Sequence, residues 1–235
     1  SLWPVETEID GSISPVSVEG AIKEDDPHHA SSRLLCLENT VGGKAVSLDK
    51  MKDVSKTARK NNLSIHLDGA RFFNAVTALN CKPEELANCA DSVSVCLSKG
   101  LGTPLGTVLV GSSKFIRKAR RNRKILGGSM RQVGIVAAAG HYALDNNISR
   151  LVEDHNRAEF FANELREMNI GHVDSGTNMV FFTPNDGRAE NLRLHLEKYG
   201  VKIGDQHPSI RMVLHRDVSD EGLDKAIAGF KSFYQ

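Results

Sequence analysis

The chain has 235 residues, enough for one large or two modest domains with a real core. Its 40% hydrophobic and 25% charged residues suit an ordinary globular protein, and a formal net charge of +1 points to neither a nucleic-acid nor a membrane partner. No apolar run approaches the roughly 20 residues a membrane helix needs, and Ser1-Leu2-Trp3-Pro4-Val5 lacks the basic and apolar stretches of a signal peptide.

The first 30 residues read as a loop with a short helix over residues 15–22, ended by Asp25-Asp26-Pro27. Arg33-Leu34-Leu35-Cys36-Leu37 is a continuous apolar run between polar flanks and predicts a strand buried on both faces. Ser47 caps a predicted helix in which Leu48, Met51, Val54 and Ala58 recur at helical spacing, and Asn61-Asn62 stops it. Strands follow over 63–67, 92–97 and 107–110, the first two joined by a helical stretch and the last preceded by a glycine-rich connection. This alternation predicts an α/β sheet with mostly parallel strands.

Residues 122–146 read as largely helical. From Ile148 a long amphipathic helix carries Leu151, His155, Ala158, Phe161 and Leu165 on one face. The pattern then changes to a strand at 179–182, a helix at 189–199, a strand at 210–214 and a final helix capped by Ser219. A boundary near residue 150 gives a large domain over 1–150 and a smaller α+β domain over 151–235. Repeats and low-complexity segments are absent from the sequence.

Cys36, Cys81, Cys89 and Cys96 form no Cys-x-x-Cys pair, and the sequence predicts buried reduced thiols in a reducing compartment rather than disulfides or a metal site. Three features stand where open α/β sheets place ligands, at the carboxyl ends of strands. Asp68-Gly69-Ala70-Arg71 puts a carboxylate at the mouth of the sheet, and alone it is better explained by an ordinary turn in which Asp68 caps the next helix. Ser98-Lys99-Gly100-Leu101-Gly102 ends a strand with a lysine; a snorkelling side chain competes evenly with an amine shielded from water that attacks a carbonyl to form an imine. The basic run from Lys114 to Lys124 is interrupted by Phe115, Ile116 and Ala119, which makes a solvated helix face the better reading than a nucleic-acid patch. Gly127-Gly128-Ser129-Met130-Arg131-Gln132 then offers an anion site at a helix start.

Together, Leu37-Glu38-Asn39-Thr40, His66-Leu67-Asp68-Gly69-Ala70-Arg71, Ser98-Lys99-Gly100-Leu101-Gly102, Leu126-Gly127-Gly128-Ser129-Met130-Arg131-Gln132 and Thr177-Asn178-Met179 resemble the low-specificity L-threonine aldolases. The order and approximate spacing of the motifs are the family's, from about residue 10 to the carboxy terminus. The resemblance implies an aspartate-aminotransferase-like fold, the cofactor pyridoxal 5'-phosphate, and cleavage of L-threonine or L-allo-threonine to glycine and an aldehyde. It makes Lys99 the Schiff-base lysine and Asp68 the carboxylate that keeps the pyridine nitrogen protonated. Arg71 and Arg211 would grip the substrate carboxylate, and Lys124 and Arg131 would lie near the cofactor phosphate, that of a neighbouring subunit included.

Two departures accompany the resemblance. Family members begin roughly a hundred residues earlier, a segment that supplies a phosphate cup and a ring-stacking histidine. Val41-Gly42-Gly43 directly follows Asn39-Thr40, where the family carries a histidine–asparagine pair, so removal of the β-hydroxyl proton has no obvious owner. These departures leave open a catalytically impaired short form, or a structural relative that pairs with a full-length subunit. Sheet surface left bare by a missing strand predicts a homo-oligomer, dimer or tetramer. The expected setting is cytoplasmic, with an amino-acid substrate, no nucleic acid and no membrane.

Overall fold

The structure, a computed structural model, describes residues 2–204 and 209–235. Two compact units divide the chain, Ser1–Ser149 and Arg150–Gln235.

In the first unit α1 (Pro15–Ala21) precedes β1 (Leu34–Glu38), α2 (Leu48–Lys60), β2 (Ser64–Gly69), α3 (Phe72–Leu79), α4 (Pro83–Ala87), β3 (Ser92–Cys96), β4 (Thr107–Gly111), α5 (Ser113–Ile125) and α6 (Gly134–Asn146). The sheet runs β1-β2-β3-β4, parallel across the first three strands and antiparallel at β4. The Ser47 hydroxyl accepts from the Lys50 amide and so starts α2, while Asn61 and the left-handed Asn62 end it. Helical spacing then turns Met51, Val54, Ser55 and Ala58 inward, and α2 packs on β2, whose Ile65 and Leu67 are fully buried.

Here β1 departs from expectation. Its burial alternates, with Leu35 and Leu37 inside and Leu34, Cys36 and Glu38 exposed, so it is covered on one face and not on two. β2 and β3 keep the same side open, and that side carries Glu38, His66, Asp68, Ser94 and Cys96. The thiols follow suit: all four are free, but only Cys89 is buried, because Cys36 and Cys96 lie on the open side. Residues 122–146 are likewise two helices. α5 ends at Ile125 and α6 starts at Gly134, with the positive φ of Gly127 between them. No residue of α5 is buried, and Phe115, Ile125, Leu126, Met130 and the β4 residues Val108 to Val110 are exposed.

The second unit contains α7 (Leu151–Glu167), β5 (Gly171–Gly176), β6 (Met179–Pro184), α8 (Ala189–Glu197), β7 (Ile210–Val213) and α9 (Asp220–Tyr234). Its sheet is antiparallel in the order β5-β6-β7. β5 was not anticipated, because Gly171-His172-Val173-Asp174-Ser175-Gly176 shows no apolar alternation; it is held by pairing with β6. Phe161 of α7, Phe182 of β6 and Phe230 of α9 meet edge to face in the core, at 5.8 and 5.5 Å between centroids. Arg150 makes two bonds to the fully buried Asp154 carboxylate at the start of α7, 3.0 and 2.6 Å long.

The hydroxyl of Tyr234 is buried without a hydrogen-bond partner among the described residues. Burial, reinforced by the nearby Asp186 charge, pushes the phenol up to about 12 against the pull of Arg188. A folded phenol that holds its proton more tightly than an unfolded one, at its usual 10.0, contributes stability below that pH and loses it as pH climbs toward 12. Tyr234→Phe, which deletes the unsatisfied group, is expected to stabilise the second unit by about 1 kcal/mol in urea melts at neutral pH. It should also flatten the loss of stability at alkaline pH; a destabilised variant would contradict this account.

Candidate active site

The parallel pairing of β1, β2 and β3 decides which side chains can meet. Glu38 is the Cα partner of Asp68, and Gly69 that of Val95, so the chain leaves β2 and β3 at the same edge of the sheet. Asp68 points to the open side, and its Oδ1 accepts from the Ala70 amide at 2.9 Å. It orders the turn without capping α3, whose first flanking residue is Arg71. Gly69 is required there, since an added Cβ would stand 2.8 Å from the Ser94 carbonyl oxygen and 2.9 Å from the Phe72 Cβ.

Lys99 follows β3 in a turn closed by the Gly102 amide donating to the Lys99 carbonyl at 2.8 Å. Its side chain is exposed, where the sequence left open an amine shielded from water. Arg71, Cys96 and Lys99 line one crevice with Phe72, Asn74 and Leu101. Glu38 and Asp68 line another of about 320 Å³ with Gly11, Ser12, Val41 and Lys50.

Electrostatics ties the two groups together. Partial enclosure pushes the Glu38 carboxyl above its ordinary range, the Asp68 charge pushes the same way, and Arg71 and Lys99 pull it back. Enclosure also opposes ionisation of Cys96. The Ser98 hydrogen bonds and the Lys99 charge outweigh it, so the thiol ends below its usual value. Glu38, Asp68, Arg71 and Lys99 therefore form one charged neighbourhood at the carboxyl ends of β1, β2 and β3.

The other expected site residues stand on other elements. Lys124 occupies the last turn of α5 and Arg131 the turn before α6; both are exposed, and neither forms a hydrogen bond or ion pair with Asp68 or Lys99. Arg211 belongs to the second unit, half-buried on β7 opposite Phe181. Glu38 joins the charged neighbourhood although the sequence marks it only as part of Leu37-Glu38-Asn39-Thr40. The available signal was a carboxylate closing an apolar strand, and its neighbours emerge only with the strand register. Among the described residues no group of three or more His, Cys, Asp and Glu could hold a metal ion.

Residues 1–186 match the family model described as beta-eliminating lyase. The chain belongs to that family. Within it, the low specificity L-threonine aldolase of Escherichia coli is 43% identical over 230 residues, a match covering 98% of this chain and 69% of that protein. Low-specificity L-threonine aldolase 1 of Arabidopsis thaliana is 39% identical, covering 97% of this chain and 67% of that one. Among solved structures, the threonine aldolase of Leishmania major shares the fold with a TM-score of 0.80 at 17% identity, covering 96% of this chain and 68% of that one. The α/β fold with a mostly parallel sheet is thus the family's.

Threonine aldolases of the beta-eliminating lyase family are pyridoxal-phosphate-dependent lyases. The donor set at the sheet edge fits that cofactor: an amine for an aldehyde, a carboxylate for a ring nitrogen and a guanidinium for a carboxylate lie within one electrostatic neighbourhood.

Proposed function

We propose that the chain acts as a pyridoxal-phosphate-dependent carbon–carbon lyase on L-threonine, L-allo-threonine and related β-hydroxy-α-amino acids, releasing glycine and an aldehyde. The observation that carries this reading is the convergence of Asp68, Arg71 and Lys99 at the carboxyl ends of β2 and β3. When bound, pyridoxal phosphate supplies an aldehyde reactive toward amines and a ring that takes up electrons from a breaking bond to Cα. Lys99 is the residue that would hold it, and an exposed amine is open to attack on an incoming aldehyde. Asp68, fixed by the Ala70 amide, presents a negative charge that favours a protonated ring nitrogen. Arg71 and Arg211 supply planar forks for the substrate carboxylate, and holding that group sets the orientation of the bond to be broken. Lys124 and Arg131 supply cations for the cofactor phosphate, of a neighbouring copy in an assembled dimer or tetramer.

The exposed apolar residues of β4, α5 and α6 support such a homo-oligomer, and four unpaired cysteines support a reducing, cytoplasmic setting. No helix of the described residues is long and apolar enough to cross a membrane. A second reading, an impaired form or structural relative that pairs with a longer subunit, is favoured by one observation. Val41-Gly42-Gly43 stands where the family has its histidine–asparagine pair.

The test is direct. With added cofactor the protein should develop an absorbance band near the visible edge, borohydride should fix it as an amine on Lys99, and threonine should yield glycine. An unchanged spectrum would defeat the proposal. The band without glycine, with glycine appearing on mixing with a longer relative, would select the second reading. In the same assay Asp68→Asn should keep the band while slowing glycine release about 100-fold, the order for losing one positioned electrostatic partner.

A further inference from the structure

The open side of the sheet holds two carboxyls at adjacent strand ends. Glu38 and Asp68 are Cα partners on parallel strands, on the same side by alternation, and they line the same cavity. Asp68 is anchored by the Ala70 amide. No hydrogen bond among the described residues uses the Glu38 carboxylate, which stands on the open side of the sheet facing Asp68.

We propose that Glu38 and Asp68 form a coupled carboxyl pair in which Glu38 is a positioning residue, setting the charge that Asp68 presents to whatever cation lies opposite it. Under the function proposed above, on which this part of the inference rests, that cation is the cofactor's ring nitrogen. Two like charges on neighbouring strands resist joint ionisation. Partial enclosure holds the proton on Glu38 to higher pH, the Asp68 charge acts in the same direction, and the Arg71 and Lys99 cations oppose both. Once Glu38 ionises, the negative potential around Asp68 deepens and a cation there binds its proton more tightly.

The surrounding titratable groups are few. From β2 come Asp68 and His66, whose Nδ1 is bonded to the Ser92 hydroxyl at 2.8 Å. From the turn after β2 comes Arg71, from the turn after β3 Lys99, and from β1 itself Cys36. From α2 comes Lys50, whose ammonium is taken by Asp10 at 2.5 Å. Of these, only Asp68 adds to the proton affinity of Glu38; Arg71 and Lys99 lower it.

The test begins without cofactor, so that it stands apart from the proposed function. Side-chain carboxyls are labelled with carbon-13, the Glu38 resonance is assigned by its loss in Glu38→Gln, and pH is varied. The Glu38 midpoint should lie above the ordinary 4.5, and Asp68→Asn should move it down toward that value. Asparagine retains the oxygen that accepts from Ala70, so the fold of the turn is kept. A midpoint that Asp68→Asn leaves in place would overturn the pairing. In the reconstituted protein, Glu38→Gln should move the pH at which the visible band changes. An unmoved band would overturn the positioning role even if the carboxyls are coupled, and absence of any band would count against the proposed function while leaving the carboxyl titration to judge the pair.

Discussion

Lys99→Ala is expected to lower glycine release from threonine about 1,000-fold or more, within the range lost when a positioned catalytic group is removed. The effect should fall on kcat, because the binding of the substrate carboxylate is proposed for Arg71 and Arg211. It should come without loss of fold. Lys99 is exposed, and the bond that closes its turn uses its carbonyl, which alanine keeps. The borohydride-fixed product should vanish at the same time, read by mass spectrometry of the peptide spanning β3. A variant keeping a tenth of the activity would remove Lys99 from the mechanism, whatever the family's motif.

The largest loss of stability is expected at Phe230→Ala. Phe230 is fully buried where α9 packs on α7 and α8, with the rings of Phe161 and Phe182 set edge-on against it. Deleting such a ring removes its transfer energy and leaves a cavity that three packed elements cannot close. The cost is about 3–5 kcal/mol, a large fraction of the roughly 5–15 kcal/mol that holds a domain folded. Urea melts followed by far-ultraviolet dichroism should show an early transition for Arg150–Gln235. A shift below about 1 kcal/mol, typical of a surface substitution, would mean that the aromatic cluster is not the centre of this core.

How much of this was legible beforehand depends on the kind of signal. Helices with a hydroxyl cap and a 3.6-residue stripe were readable residue by residue: Ser47 and Ser219 start α2 and α9 as expected. β2 and β3 were readable as short apolar runs. The exposed side of β1 was not, because Leu34 and Cys36 are apolar residues that remain on an open face, and a sequence cannot say which apolar residues lack a cover. β5 was invisible because its stability comes from β6 and not from its own side chains. In the site, Asp68 and Lys99 were legible because each directly ends a strand beside a glycine turn. Glu38 was not, since its importance lies in facing Asp68 across a pairing that only the register reveals.

The Asn39 side chain has one more consequence. Buried just past Glu38, it donates to the Val46 carbonyl at 2.9 Å and accepts from the Val46 amide at 3.1 Å, imitating one rung of a ladder. That rung ties off residues 40–45 at their base, much as a knot isolates the slack in a rope. Residues 40–45 can therefore change in sequence while the strand end beneath them is held in place by that pair of bonds.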